Sequence, residues 1–159
     1  MAAIFISESG YVFMFNTDIL LTLDCGCCDH TVDLADAPGY AAVLHPLPGS
    51  QRNEHFVVGN GERVANRGQI KLRMKSKEDD GVLMSSVFQV AEITRPLMSV
   101  SRICDQGMSC VFEKTHARVV DSNGNAVARF ERDGGLYTCT MRLWCPEARN
   151  EPGFARLVP

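Results

Sequence analysis

The chain lacks a long apolar run, a cluster of basic residues and an internal repeat of fixed period. No apolar segment reaches the ~20 residues of a membrane-spanning helix. Lys and Arg are scattered and the net charge is −3, which argues against a nucleic-acid-binding module. Residues 1–15 are apolar, but no basic residues precede them and polar residues interrupt them, so they make a poor signal peptide. We therefore expect a cytoplasmic protein whose partners are neither membranes nor nucleic acids.

The cysteines do not form the pattern of a disulfide framework. Their number, seven, is odd, and three crowd together as Cys25, Cys27 and Cys28, so reduced thiols are expected. Cys25, Cys28 and His30 have a spacing that zinc can use, but a structural zinc site needs a fourth ligand, usually from a second closely spaced pair. The remaining cysteines supply no such pair. We predict no metal and no cofactor, and keep a zinc-stabilised β module as a minor alternative.

The hydrophobic pattern predicts a single all-β domain. A chain of 159 residues can bury its own core, and short runs of aromatic and β-branched residues alternate with turn residues. Strands are expected at 11–15, 19–23, 55–58, 69–75, 82–93, 117–120, 126–130 and 136–143. Asn16, Thr17 and Asp18 are read as a turn between the first two. A short helix is expected at 99–106, ended by Gly107.

The segment 19–26 carries the candidate chemistry. An apolar strand runs directly into Asp24, Cys25 and Gly26. A carboxylate at the end of a buried strand is held rigidly at the edge of a core, where its protonation can be adjusted for acid–base catalysis. The glycine allows a tight turn and a close backbone approach. Alone, such a triplet is usually just a turn.

Four further segments, in order along the chain, strengthen the interpretation of the triplet as catalytic. They are 29–32, the Gly-rich hairpin at 58–64, the segment 96–112, and 133–137. Together with 23–26 this order resembles the retropepsins, the single-lobed aspartic proteases of retroviruses and retrotransposons. The similarity is closest to the copia-type retrotransposon proteases and covers residues 19–143.

The resemblance implies a fold and a set of domains. It implies a retropepsin-like β-barrel with a flap hairpin, one short helix and a C-terminal β-hairpin extension. The protease domain would span 1–116, the extension 117–145 packed on the same domain, and a flexible tail 146–159.

The resemblance also implies a homodimeric aspartic endopeptidase that processes a retrotransposon-type polyprotein. Each chain would supply Asp24, within the catalytic loop of Asp24, Cys25 and Gly26. The substrate-binding residues would be Asp29, Val58, Gly59, Asn60, Gly61, Leu97 and Met98.

Cys25 departs from the family pattern. Retropepsins have Ser or Thr there, and the hydroxyl links the two catalytic loops across the dimer. A thiol is a weaker hydrogen-bond donor, so the catalytic pair should be held less rigidly. A second interpretation therefore stays open, in which a degenerate retropepsin fold dimerises or binds peptides without cleaving them.

Overall fold

Twelve strands and one short helix make up the computed structural model, which describes residues 3–6, 12–40, 44–46, 54–77 and 83–144. The strands are β1 Ala3–Ile6, β2 Val12–Asp24, β3 Thr31–Val32, β4 His55–Val57, β5 Arg63–Ala65, β6 Gln69–Ser76, β7 Met84–Val90, β8 Leu97–Ser99, β9 Ser109–Phe112, β10 His116–Val120, β11 Ala126–Asp133 and β12 Leu136–Trp144. Helix α1 is Val100–Asp105, and a single 3₁₀ turn spans Leu34–Asp36. The predicted all-β fold with one short helix is confirmed.

Six of these strands close a barrel. Its order is β2, β8, β3, β7, β6 and β12, and β12 pairs back onto β2. Most pairings are antiparallel, but β2 pairs with β8, and β3 with β7, in parallel. The parallel pairing of β2 with β8 places the carboxyl ends of these two strands side by side. The end of β2 is where Asp24 lies.

The alternation of apolar and polar residues explains which side chains fill the barrel. In β6 the alternate residues Ile70, Leu72 and Met74 are fully buried, while the residues between them are only partly buried. Strands β2 and β12 repeat this period of two. Their inward side chains are Ile19, Leu21 and Leu23 from β2 and Cys139, Met141 and Leu143 from β12. The core is therefore built by one face of each barrel strand.

Strand β2 is continuous, so the predicted turn at Asn16, Thr17 and Asp18 is wrong. Thr17 and Asp18 pair with Leu143 and Arg142 of β12. The next residue of β12, Trp144, pairs with Phe15 and not with Asn16, so the register shifts at Asn16. Asp18 also forms an ion pair with Lys77, 2.7 Å away. The polar residues are therefore accommodated by a bulge and by a charged partner at the surface, two features that composition alone does not reveal.

Strand β12 belongs to the barrel as well as to the C-terminal hairpin. One of its edges pairs with β2, while its other edge pairs first with β11 and then with β6. Beyond it, β11, β10 and β9 continue the sheet outward. The segment 117–145, expected as an extension, thus also supplies a strand that closes the barrel. The expected tail, 146–159, lies outside the described residues.

In the described part of the chain no helix is long and apolar enough to cross a membrane.

Truncating Leu143 should test the role of β12 in closing the barrel. Leu143 is 1% exposed, whereas Leu136 on the same strand is 40% exposed. Because a buried leucine leaves a cavity when it is truncated, Leu143→Ala should lower the free energy of unfolding by about 2–5 kcal/mol. Leu136→Ala is the matched control, expected to cost under about 1 kcal/mol. Urea denaturation measures the free energy of unfolding of both variants. Small and equal losses would contradict the conclusion that β12 is a strand of the barrel.

Candidate functional site

Asp24 is positioned by the end of strand β2 and by the turn that follows. It lies beside Ser99 of β8 in the parallel register, and its side chain is partly exposed. Its Oδ1 atom accepts a 2.7 Å hydrogen bond from the backbone N–H of Gly26. A Cβ atom on residue 26 would lie only 3.3 Å from the same oxygen. A glycine therefore lets the turn close tightly over the carboxylate while leaving it open to solvent.

The three clustered cysteines lie in different environments. Cys25 and Cys28 are exposed, whereas Cys27 is half-buried. The Cys27 thiol donates a hydrogen bond to the carbonyl oxygen of Asp29, and burial raises its pKa. A thiol that stays protonated is a poor nucleophile. We therefore assign Cys27 a structural role, in which its hydrogen bond to Asp29 supports the loop. Cys25 lies at the exposed tip of the turn, directly after Asp24.

Ser99 holds this loop from beneath. Its side chain is fully buried, and its hydroxyl donates a 2.6 Å hydrogen bond to the carbonyl oxygen of Cys27. The hydroxyl oxygen of Ser99 also accepts a 3.3 Å hydrogen bond from the backbone N–H of Arg102 and so caps helix α1. The resemblance to retropepsins implies for Ser99 only a small residue packed beneath the catalytic loop, and Ser99 is not among the predicted catalytic or substrate-binding residues. A serine at the start of an expected helix is the signal for an N-cap, but the bond from Ser99 to the loop is visible only in the fold.

His30 is the second buried support. It is 5% exposed, packs against Phe88 with the ring centroids 5.2 Å apart, and accepts a 2.9 Å hydrogen bond at Nδ1 from the backbone N–H of Ser99. A ring that accepts at Nδ1 carries its proton on Nε2 when it is neutral. Burial lowers the pKa of His30, which keeps the ring neutral.

The candidate zinc ligands do not come together as a site. The Nδ1 atom of His30 is occupied by Ser99. Within the residues that the structure describes, no group of three or more His, Cys, Asp or Glu side chains could hold a metal ion.

A cleft of about 640 Å³ opens above Asp24. The turn of the β4–β5 hairpin forms one side of its lining, and the segment 92–97 contributes another part. Among the predicted site residues, the structure brings Asp24, Val58, Gly59, Asn60 and Leu97 to this single cleft. They come from three segments, Asp24, 58–60 and Leu97, that are more than thirty positions apart along the chain, so the fold assembles the cleft.

The β4–β5 hairpin is a separate two-stranded sheet with a well-defined turn. The backbone N–H of Gly61 donates to the carbonyl of Val58 at 2.8 Å, and Val58 N–H donates to the carbonyl of Glu62 at 3.0 Å. Gly61 has φ +82°, in the left-handed region that favours glycine. Val57, in the strand before the turn, is 70% exposed. The hairpin therefore presents an apolar side chain without burying it within the chain.

Three predicted binding residues lie away from the lining of the cleft. Asp29 forms an ion pair with Arg102 of α1, with Arg102 Nε 2.6 Å from Oδ1. Met98 is 6% exposed and packs in the core, because neighbouring residues of β8 point to opposite sides. Gly61 shapes the hairpin turn but is not among the residues that line the cleft. In this structure Asp29 and Met98 thus contact other residues of the chain, and their roles in substrate binding stay predictions.

Charged residues in the cleft were not predicted. Its lining includes Glu62, Arg63, Glu92 and Arg95. Glu92 is paired with Arg67, and Glu62 accepts a 3.4 Å hydrogen bond from the side chain of Asn60. Scattered charges of this kind look like ordinary surface residues in the sequence. Only the folding of segment 92–95 against the hairpin places them together.

The buried His30 should make stability fall in mild acid. Its folded-state pKa is lowered from 6.5, so the unfolded chain binds the proton more readily. The stability that the neutral ring provides is fully present above pH ~6.5 and is lost as the pH falls through the lower folded-state pKa. His30→Gln removes this titration and, at pH ~8, leaves the Ser99 N–H poorly satisfied at a cost of about 1–3 kcal/mol.

Urea denaturation at several pH values measures this effect. The stability difference between wild type and His30→Gln should shrink as the pH falls from ~8 to ~5. His55→Gln, at an exposed histidine, is the matched control and should track the wild type throughout. A difference for His30→Gln that stays constant with pH would contradict a buried neutral ring.

Comparison with protein families, with curated proteins and with solved structures finds no significant match to this chain.

Proposed function

We propose that this protein is an aspartic endopeptidase that acts as a homodimer on extended polypeptide segments, such as those of a retrotransposon-type polyprotein. The observation that carries the proposal is the shared cleft, which is lined both by Asp24 and by the turn of the β4–β5 hairpin. A partly exposed carboxylate beneath a hairpin is the arrangement needed to hold a peptide bond against an acid–base group. The resemblance of segments 23–26, 58–64 and 96–112 to retropepsins supports the same conclusion.

The proposed chemistry requires two copies of the chain. Each contributes one Asp24, and two carboxylates placed close together cannot both ionise cheaply, so the pair shares one proton. The ionised member takes a proton from a water molecule, which attacks the peptide carbonyl carbon. The protonated member donates to the carbonyl oxygen. The pair titrates as a unit.

The β4–β5 hairpin would act as the lid over the substrate. An extended peptide beneath it gains affinity from backbone hydrogen bonds and specificity from alternate side chains. Val57, which is 70% exposed in the single chain, offers apolar surface to such a peptide or to the second chain. Closure of the lid would exclude water from the reacting groups.

We also place this activity in the cytoplasm. All six cysteines in the described part of the chain are free thiols. Free thiols on the surface, such as Cys25 and Cys28, are typical of a reducing compartment.

A second function is favoured by one observation. Cys25 is exposed directly after Asp24, where retropepsins carry the hydroxyl that joins their two catalytic loops. A weaker link between the loops would leave a dimer that binds peptides in the same cleft without cleaving them.

Cleavage of a diverse peptide library at pH ~5 and ~7 separates the two functions. Asp24→Asn keeps the shape of the side chain and removes its acid–base chemistry. Under the proposal this change lowers the cleavage rate by roughly 10²- to 10⁴-fold or more. Equal cleavage by wild type and Asp24→Asn would contradict the aspartic mechanism. Peptide binding by both, with cleavage by neither, would select the binding module.

Cys25→Ser is the matched control in this assay. This change introduces the hydroxyl that retropepsins carry at this position and leaves Asp24 in place. We expect it to cleave at least as fast as the wild type, because a hydroxyl is the stronger donor across the dimer. A clear loss of activity would show that the thiol has a role of its own.

A further inference from the structure

A second cavity lies on the other side of strand β8 from the Asp24 cleft. Its volume is about 240 Å³, and it is lined by residues of β7, β8, helix α1 and the outer strands β10 and β11. Leu97 lines the cleft, whereas its neighbour Met98 lines this cavity, because successive residues of a strand point to opposite sides. Among the described residues, none lines both spaces. We call the second space the His30 cavity, after the buried histidine in its wall.

The wall of the His30 cavity is mainly apolar. Three of its residues, Met84, Met98 and Met108, are methionines, whose flexible side chains adapt to irregular shapes. No Asp, Glu, Lys or Arg is found among the described residues that line it. A charged ligand would therefore lose its hydration without gaining an ionic partner. The polar residues of the lining other than His30 are half-buried or exposed, and they are Ser85, Ser86 and Gln106.

His30 contributes one unused hydrogen-bond donor to this wall. Its Nδ1 atom is occupied by the backbone N–H of Ser99, so the neutral ring carries its proton on Nε2. Within the described part of the chain Nε2 has no hydrogen-bond partner, yet protein atoms do not enclose it completely. Because His30 is only 5% exposed and lines the cavity, its Nε2–H opens into that space. A buried donor without a partner is unfavourable, and an acceptor inside the cavity would satisfy it.

We propose that the His30 cavity binds a small, uncharged, largely apolar molecule that presents a hydrogen-bond acceptor, such as a carbonyl oxygen, to Nε2 of His30. An apolar cavity of about 150 Å³ can hold a benzene molecule, so a volume of about 240 Å³ has room for an aromatic ring with a short substituent. The methionines contact the apolar body of the ligand, and His30 fixes its orientation. Ligand pockets commonly combine an apolar lining with a few polar groups in this way.

Occupation of the cavity would support the loop that follows Asp24. The His30 ring would be hydrogen-bonded at both nitrogens, to the ligand and to the backbone N–H of Ser99. The Ser99 hydroxyl in turn holds the loop through the carbonyl oxygen of Cys27. A ligand that binds only the folded chain also stabilises it by mass action. Binding in this cavity does not require the proposed protease activity, and its test measures binding alone.

Acetophenone and cumene are a matched pair of probes for this site. Acetophenone has a benzene ring and a carbonyl group, and cumene has a similar shape with a methyl group in place of the carbonyl oxygen. Each is titrated into the isotope-labelled full-length chain, and the histidine side-chain signals are followed by NMR. Acetophenone should shift the Nε2–H signal of His30 downfield in a saturable manner, with a Kd of about 1 mM or tighter. It should also give nuclear Overhauser contacts to Met84 and Met108. Cumene should not produce the downfield shift, because it has no acceptor.

Two variants check the location. Ala128 is half-buried and lines the cavity, whereas Ala126 is exposed on the same strand and does not line it. Ala128→Leu fills the cavity and should weaken acetophenone binding roughly tenfold or more. Ala126→Leu is the matched control and should change the Kd by less than about twofold. If Ala128→Leu does not fold, the nuclear Overhauser contacts in the wild type still locate the ligand.

Four results would overturn the proposal. They are the absence of a saturable shift at His30, an equal downfield shift with cumene, contacts of acetophenone only to residues outside the His30 cavity, and unchanged binding by a folded Ala128→Leu chain.

Discussion

The loop that carries Asp24 depends on the hydrogen bonds of one buried serine. The Ser99 hydroxyl donates to the carbonyl of Cys27, and its backbone N–H donates to His30. Both acceptors lie in the segment that follows β2. A buried polar group that loses its hydrogen-bond partner costs about 1–3 kcal/mol of stability. Moving the loop away from Ser99 is therefore unfavourable. The same hydroxyl caps α1, so one side chain fixes the end of β2 relative to the start of the helix.

This arrangement requires β2 and β8 to run side by side in parallel. Parallel pairing brings their carboxyl ends to one place, and the closed barrel keeps the two strands in register. Strand β12 closes that barrel by pairing with β2 on one edge and with β6 on the other. The C-terminal part of the chain therefore supports a site whose chemistry lies in its first quarter.

The sequence predicted those features that follow from local patterns. The apolar run before Asp24, the Gly-rich hairpin and the helix after Ser99 each have a local signal, and each is present. The bulge at Asn16 could not be predicted, because it depends on the register with β12. The positions of Asp29 and Met98 depend likewise on the partners that the fold provides. Local pattern thus located Asp24, while pairing between distant segments determined what surrounds it.

The proposed pair of Asp24 side chains and the buried His30 favour opposite directions of pH. A shared-proton pair of Asp24 side chains works in mild acid, where one carboxyl keeps its proton. His30 supports the same loop only while it is neutral, and acid charges it. Under the proposed mechanism, activity would be confined between the pH that protonates His30 and the pH that removes the shared proton from the two carboxyl groups. A buried histidine would thus limit an acid protease on its acidic side.

The proposed active site is built from two chains. Wild type and Asp24→Asn are mixed at constant total concentration, allowed to exchange subunits, and assayed for peptide cleavage. If each site needs Asp24 from both chains, the rate falls with the square of the wild-type fraction, because mixed dimers are inactive. A rate that falls in simple proportion to the wild-type fraction would show that each chain works with its own carboxylate, and would contradict the account.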